Sequence, residues 1–285
     1  MSTVVNNSKI REFEFTRDDF NYLRQVTNLR TGIVVSDDKF DMFYSRLSRR
    51  VRKLGMSSFK EYCELIRNDQ NGPEMAELVN SITTNLTSFF RENHHFEYLK
   101  LQVIPSLLND NYKARSINIW SAGCSTGEEP YSISMTLLET VGDKSGWSTQ
   151  ILATDIDSNV LEKAAGGVYP LERIKGISDT RLKKCFQKGS RSNQGMVRVK
   201  PEIRNRVTFG QLNLMESWAL EVPQDVIFCR NVIIYFDKES KVKLIDKFAN
   251  NLKDGGYLFI GHSESLFKLT DRFELIGQTI YRKVK

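Results

Sequence analysis

The chain has 285 residues, with 41 Lys and Arg against 35 Asp and Glu for a net charge of +6, and it is 40% hydrophobic and 27% charged, as soluble folded proteins are. No apolar run approaches the ~18 residues of a membrane span and no secretory leader is expected, which excludes direct membrane insertion and points to the cytoplasm. Cys63, Cys124, Cys185 and Cys229 are far apart, with no CxxC pair and no disulfide-dense spacing, so reduced thiols are expected.

In chain order, the first strong pattern is "SDDKFDMFYSRLSRRVRKLG" (36–55). Phe40, Phe43, Tyr44, Leu47, Val51 and Leu54 recur at helical spacing, and Arg46, Arg49, Arg50, Arg52 and Lys53 fall on the opposite face. Asp37 and Asp38 suit the start of that helix and Gly55 its end. Ser58 and Glu61 stand at capping-box spacing before "YCELI", and a further helix is expected from Pro73. Residues 1–84 therefore read as a small all-helical unit with its linker.

From about 115 the pattern becomes alternating strands and helices. "INIWSA", "QILATDID", "RVTFGQLNL", "DVIFCRN" and "GYLFIG" read as strands, with helices after Pro130, over "SNVLEKAA" and over about 239–252. "FELIGQTIYRKVK" reads as a terminal hairpin. Such alternation predicts an α/β fold, a parallel sheet covered on both faces, with ligands at the carboxyl ends of its strands. Residues 170–206 break the alternation; they are polar and basic with a short strand-like "GMVRVK", and are expected to form a small inserted β-subdomain within 85–285.

The turn "WSAGCSTGEEPY" (120–131) joins the first strand to its helix. Gly123 and Gly127 are spaced GxxxG, not GxGxxG, and no P-loop Lys follows. Glu128 and Glu129 at the helix start would repel a pyrophosphate. An adenosine compound with a cationic end and no phosphates, S-adenosylmethionine, fits instead. Asp155, 28 residues beyond Gly127 at the end of the second strand, is placed to accept a ribose diol. Glu128 alone is explained by the helix dipole; Glu129 is the better contact.

"NSITTNLTSFFRENHHF" (80–96), "WSAGCSTGEEPYSISM" (120–135), "FCRNVIIYFD" (228–237) and "GHSES" (261–265) together resemble the CheR family, glutamate O-methyltransferases acting on bacterial chemotaxis receptors. The resemblance covers nearly the whole chain; one local departure is "SAGCS", where some relatives carry alanines. It implies a class I, Rossmann-like S-adenosylmethionine-dependent methyltransferase domain behind an all-helical N-terminal receptor-binding domain. It also implies roles. Asn85, Thr87 and Arg91 belong to a strip over the cofactor. Glu129 and Asp155 are cofactor acids, and Asn213 and Leu214 flank the adenine. Arg230 and Asn231 lie at the methionine part of the cofactor, and Tyr235 lies beside the transferred methyl group. Arg91 and Tyr235 are the expected catalytic residues. Arg46, Arg49, Arg50 and Lys53 are expected to meet acidic methylation helices of a receptor, and the insert is expected to take a receptor tail peptide on a strand edge.

A glutamate side chain ionises near pH 4.3, so the acceptor needs no general base at neutral pH, and positioning must contribute most of the rate. The other motifs carry less. His94 and His95 lack a surrounding ligand constellation, so no metal is expected. "GHSES" lacks the G-x-S-x-G elbow of a hydrolase, which leaves His262 as a pocket wall. Cys229 reads as a buried thiol, and Phe89 and Phe90 as core. Two other readings stay open on the residues alone: a nucleic-acid methylase, which the basic face would suit but "CRNVIIYF" does not, and a cofactor sensor without chemistry. A monomer is expected, with S-adenosylhomocysteine as product and no nucleic-acid partner.

Overall fold

The computed structural model describes residues 11–69, 72–142 and 146–285, and the chain divides into two compact units, 1–83 and 84–285. The first unit holds α1 (Arg17–Thr31), α2 (Phe40–Lys53), α3 (Phe59–Asn68) and α4 (Pro73–Ile82). Helix α1 opens on a reciprocal cap: Thr16 Oγ1 accepts from the Asp19 amide at 3.1 Å, and the Asp19 carboxylate accepts from the Thr16 amide at 2.9 Å. A 3₁₀ turn, Asp37–Lys39, precedes α2, so the two acids sit one turn ahead of the helix proper. Phe43, Leu47 and Val51 of α2 are fully buried against Phe20, Leu23, Phe59 and Leu78. Each such side chain contributes about 1.5–3 kcal/mol by leaving water. The cap of α3 is only half a capping box. Ser58 Oγ accepts from the Glu61 amide at 3.3 Å, but the Glu61 carboxylate turns to the amide of Ser57, at 3.2 Å.

The second unit begins with a helix-free stretch from Thr84 to Asn93, followed by α5 (His94–Tyr98), one π-helical turn over Leu99–Val103, and α6 (Ile104–Asp110). Then come β1 (Ser116–Ala122), α7 (Glu128–Thr140), β2 (Ser148–Asp155) and α8 (Ser158–Gly166). The insert supplies β3 (Val168–Pro170), α9 (Asp179–Cys185), β4 (Phe186–Lys188), β5 (Met196–Val199) and α10 (Pro201–Arg204). After it follow β6 (Val207–Gln211), β7 (Gln224–Cys229), α11 (Lys238–Asn251), β8 (Leu252–Ile260), β9 (Phe273–Gly277) and β10 (Ile280–Lys283).

The large sheet runs β6-β2-β1-β7-β8-β10-β9. Its first five strands are parallel, and β10 lies antiparallel to both β8 and β9, which gives the terminal hairpin read in the sequence. Strand β7 is buried at all six positions, as a central strand covered on both faces must be. The insert forms its own antiparallel sheet, β3-β5-β4. Its first strand starts at Val168, two residues ahead of the break in the sequence pattern, because Gly167 closes α8 in the left-handed region (φ 61°) and turns the chain straight into β3. Tyr169, Ile174, Phe186, Val197 and Val199 of this part share a core with Phe89, Tyr131, Met135 and Leu138. Phe89 is thus a packing residue, 5.0 Å from the Tyr169 ring and 5.4 Å from that of Phe186. Among the described residues, no helix is long and apolar enough to cross a membrane.

Candidate functional site

Strands β1 and β7 are neighbours, and the chain winds away from them in opposite directions. A crevice therefore opens beyond their carboxyl ends. The turn after β1 begins with the amides of Gly123 and Cys124, which both donate to the Thr154 carbonyl, at 2.8 and 2.9 Å. Gly123 (φ 84°) has the Val232 Cγ2 where a Cβ would lie, 2.5 Å away, and Gly127 (φ 93°) has the Ala164 Cβ at 2.8 Å. Both conformation and space demand glycine, and the backbone of the turn lies close against Val232 and Ala164.

Glu128 and Glu129 occupy the first turn of α7 and both are buried. Glu129 Oε1 accepts from Ser121 Oγ at 2.7 Å, and its Oε2 from Arg230 Nη1 at 3.0 Å. Burial pushes its carboxyl above the usual range, opposed by Arg230 and Ser121. Glu128 does more than favour the helix dipole: it accepts from Thr126 Oγ1 at 2.6 Å and pairs with Arg173 Nη2 of the insert at 2.9 Å. Asp155 ends β2 and accepts from the amides of Ser125 (2.8 Å) and Asp157 (3.0 Å). Burial again raises its carboxyl, against those backbone donors. Two amides leave each of its oxygens with a lone pair for a ligand hydroxyl.

The helix-free stretch lies along this crevice. Asn85 Nδ2 donates to Asp157 Oδ2 at 2.8 Å, and its carbonyl accepts from Ser125 Oγ at 3.2 Å. The Thr87 carbonyl accepts from Arg173 Nη1 at 3.2 Å, and Arg91 Nη1 donates to the Leu86 carbonyl at 2.8 Å. Arg230, its side chain 2% exposed, sits between Glu129 and Glu92 (3.3 Å) and donates to the Arg91 carbonyl. Its Nε is buried with no hydrogen-bond partner among the described residues. Asn231 follows in the left-handed region (φ 58°), and its amide donates to Glu264 Oε2 at 2.9 Å. Glu264 Oε1 accepts the Ile234 amide at 3.1 Å, and Oε2 also accepts the Gly261 amide at 2.5 Å.

Beside Asp155, the Leu212 amide donates to the Asp155 carbonyl at 3.0 Å, which brings Asn213 and the buried Leu214 to the same end of the sheet. Tyr235 closes the 3₁₀ turn Ile233–Tyr235, half-buried, its amide bonded to the Val232 carbonyl at 3.2 Å. Asn85, Thr87, Arg91, Glu129, Asp155, Asn213, Leu214, Arg230, Asn231 and Tyr235 thus gather at the carboxyl end of the sheet. Sequence reading missed Glu92, Asp157, Arg173 and Glu264. Glu92 and Glu264 both lie inside quoted motifs, next to Arg91 and two residues after His262.

Glu92, His94 and His95 each bring a metal-ligand type of atom within 4.8 Å of the others. Arg230 already neutralises Glu92, and His95 is fully buried with Nε2 3.1 Å from the Gln278 carbonyl and 3.0 Å from Thr279 Oγ1. Burial and the neighbouring guanidinium push His95 down to about 3. The guanidinium beside the cluster repels a further cation, and His95 packs as a core ring, 5.4 Å from that of Phe259. Cys229, fully buried within β7, has its thiol pushed well up by desolvation and is chemically quiet.

In the first unit, the four cations read as a partner surface separate into two pairs. Arg50 forms a bidentate pair with the buried Glu74, Nε to Oε1 at 2.7 Å, and reaches Glu77 at 3.3 Å. Arg46 Nη1 donates to the carbonyls of Ile82 and Thr83 at 2.7 and 2.8 Å, closing the end of α4. Arg49 and Lys53, one turn apart on α2, are exposed.

The acids, the open Arg230 donor and the close glycine turn suit a cationic, phosphate-free adenosine ligand. Known proteins agree with that chemistry. Residues 85–282 match the CheR methyltransferase SAM-binding domain, and residues 18–83 match the CheR methyltransferase all-alpha domain. The chain is 44% identical over 266 residues to the chemotaxis protein methyltransferase of Escherichia coli, covering 92% of this chain and 89% of that protein. It is 42% identical over 272 residues to chemotaxis protein methyltransferase 2 of Pseudomonas aeruginosa, covering 95% of each. To the Borreliella burgdorferi chemotaxis protein methyltransferase it is 36% identical, over 99% of this chain and all of the other. Both units and nearly the full length being matched, the chain belongs to the CheR family of S-adenosylmethionine-dependent methyltransferases, and its second unit is their class I methyltransferase domain.

Proposed function

We propose that this enzyme methylates glutamate side chains of chemoreceptors in the cytoplasm, forming methyl esters during chemotactic adaptation. The observation that carries the reading is a buried carboxylate pair, Glu129 and Asp155, around a glycine turn, in a chain matched to the CheR family over both units. S-adenosylmethionine, when bound, supplies a methyl group on a sulfonium and leaves as S-adenosylhomocysteine. Glu129 would hold its ammonium end, Asp155 its ribose diol, Asn213 and Leu214 its adenine, and Arg230 with Asn231 its carboxylate end. Asn85 and Thr87 cover it through the strip that Asp157 and Arg173 hold down.

The acceptor arrives as a carboxylate and needs no base. The task of the chain is to hold that carboxylate in line, which we assign to Arg91 and Tyr235. The exposed Arg49 and Lys53 of α2, with Arg46 and Arg50 beside them, attract the acidic methylation helices. An edge of the β3-β5-β4 sheet, supplied by the insert, takes a receptor tail peptide as an added strand and raises the local substrate concentration. Labelled S-adenosylmethionine offered with receptor-containing membranes and with RNA tests this reading. Base-labile label on receptor glutamates, reduced strongly by Arg91→Ala at saturating substrates, is expected; label on RNA, or none, refutes it.

A further inference from the structure

A crevice lined with acids that attract a cationic methyl donor also repels an anionic acceptor. Glu92, Glu129, Asp155, Asp157 and Glu264 all lie at this end of the sheet, and Arg230, buried between Glu129 and Glu92, pairs with both and keeps only its Nε, which the cofactor reading assigns to the donor's own carboxylate. A further positive group at the mouth is needed beside Arg91. His262, in the turn that follows β8, is the one whose placement is built. Its Nδ1 lies 2.9 Å from Glu92 Oε1, and its amide donates to Glu92 Oε2 at 3.2 Å. Glu92 is held rigidly: it sits at φ 56°, pairs with Arg230 at 3.3 Å and takes a longer contact, 3.5 Å, from Asn231 Nδ2. Burial raises the Glu92 carboxyl, but His262 and Arg230 outweigh it and bring it down to about 2. A carboxylate only accepts, so Nδ1 carries a proton and the second ring nitrogen is left for another partner. The imidazole side chain is 67% exposed, whereas its holder is 11% exposed.

We propose that Glu92 and His262 form a carboxylate–imidazole pair in which protonated His262 donates Nε2–H to the acceptor carboxylate, orienting it for methyl transfer. This rests on the glutamate-methylating reading above. One acceptor oxygen is bound by the imidazolium and the other remains the nucleophile; no proton changes hands in the transfer. The charged and titratable groups around the ring are Glu92 from the strip, Arg230 from the end of β7, Glu264 from its own turn, and His94 and His95 behind Glu92, of which His95 stays neutral. The contact needs the ring to carry both protons, so it is lost when the imidazole is neutral.

The test is acceptor-dependent kinetics of the full chain with receptor membranes between pH 5.5 and 8.5, roughly the span over which a histidine titrates. His262→Ala is expected to raise the KM for receptor about tenfold or more at the acid end, the worth of a hydrogen bond between charged groups, with a smaller change in kcat. His262→Gln, whose amide keeps a donor, should recover much of that loss and flatten the pH profile. Binding of S-adenosylhomocysteine by calorimetry should match wild type in both variants, which also confirms their fold. Wild type and His262→Ala sharing one KM and one pH profile would overturn the inference alone, as would loss of cofactor binding in step with activity. Failure of wild type to form base-labile label on receptors overturns the underlying reading and this inference with it.

Discussion

Glu264 is the residue on which the mouth of the site depends most, and its removal has a computable cost. Its two carboxylate oxygens accept three backbone amides, those of Asn231, Ile234 and Gly261, from two separate loops. Hydrogen bonds to a charged group contribute about 1.5–3 kcal/mol each when buried and less where water can replace them. The Gly261 bond is buried and the other two are partly so, which gives an expected loss of about 3–5 kcal/mol for Glu264→Ala. Glu264→Gln should cost about 1–3 kcal/mol, because its amide oxygen keeps the Asn231 and Gly261 amides while its NH₂ faces the Ile234 amide, donor against donor. Urea unfolding followed by tryptophan fluorescence reads this unit alone, since Trp120, Trp147 and Trp218 all lie within 84–285. A loss under about 1 kcal/mol for Glu264→Ala would refute the reasoning, as the three amides would then be no better satisfied by Glu264 than by water.

Two further outcomes follow from the same geometry. Arg50→Ala should destabilise the first unit by about 3 kcal/mol, because it strands the buried Glu74, while Arg49→Ala should stay within about 0.5 kcal/mol and act only on receptor methylation; thermal unfolding of the two variants side by side checks this. Glu92 is depressed from its ordinary 4.5 to about 2, so its contribution is present above the ordinary carboxylate range and is lost as pH falls through that window. The shift converts to roughly 3 kcal/mol, of which screening at the rim leaves about 1–2 kcal/mol. The stability gap between wild type and Glu92→Gln should therefore narrow between pH 5 and pH 2.5, about the span of the two values, and a gap that stays constant in urea titrations across that span would contradict it.

Legibility in the sequence tracked how local each cause is. Strands β1, β2, β7 and β8 and their helices announce themselves through apolar runs and turn residues, since a buried parallel strand must be apolar throughout. Glu129 and Asp155 were legible because the glycine turn and the strand end fix their place without help from elsewhere in the chain. The π-helical turn at 99–103 was not, because no turn residue or apolar spacing marks it in the sequence. In α2, a helical wheel places Arg46, Arg49, Arg50 and Lys53 together, but Glu74 sits 24 residues after Arg50 and the Ile82 carbonyl 36 after Arg46. Charge on one helix face shows which cations are available, and only the fold shows which are already committed.

Glu92, which sequence reading missed, and Asn231, which it found, share a physical trait. Phe90, Glu92, Ser125 and Asn231 all adopt left-handed backbone, and all four stand where the strip, the glycine turn and the end of β7 meet. Non-glycine residues hold that conformation at a cost of about 1–3 kcal/mol each, and only where surrounding bonds over-determine it. Here the bonds are visible: Ser132 Oγ on the Phe90 amide, Asp155 on that of Ser125, Glu264 on that of Asn231, and Arg230 with His262 on the Glu92 carboxylate. Each anchor except Arg230 and His262 is an acceptor reaching a main-chain amide across the fold, so side-chain propensity at the strained residue carries no trace of it. Arg115, Arg191, Lys268 and Thr279 share that backbone conformation elsewhere in the described chain, but these four stand together at the rim of the crevice. Under the proposed glutamate methylation, in which the acceptor carboxylate needs no base, a rim of donors held still is where the rate would come from.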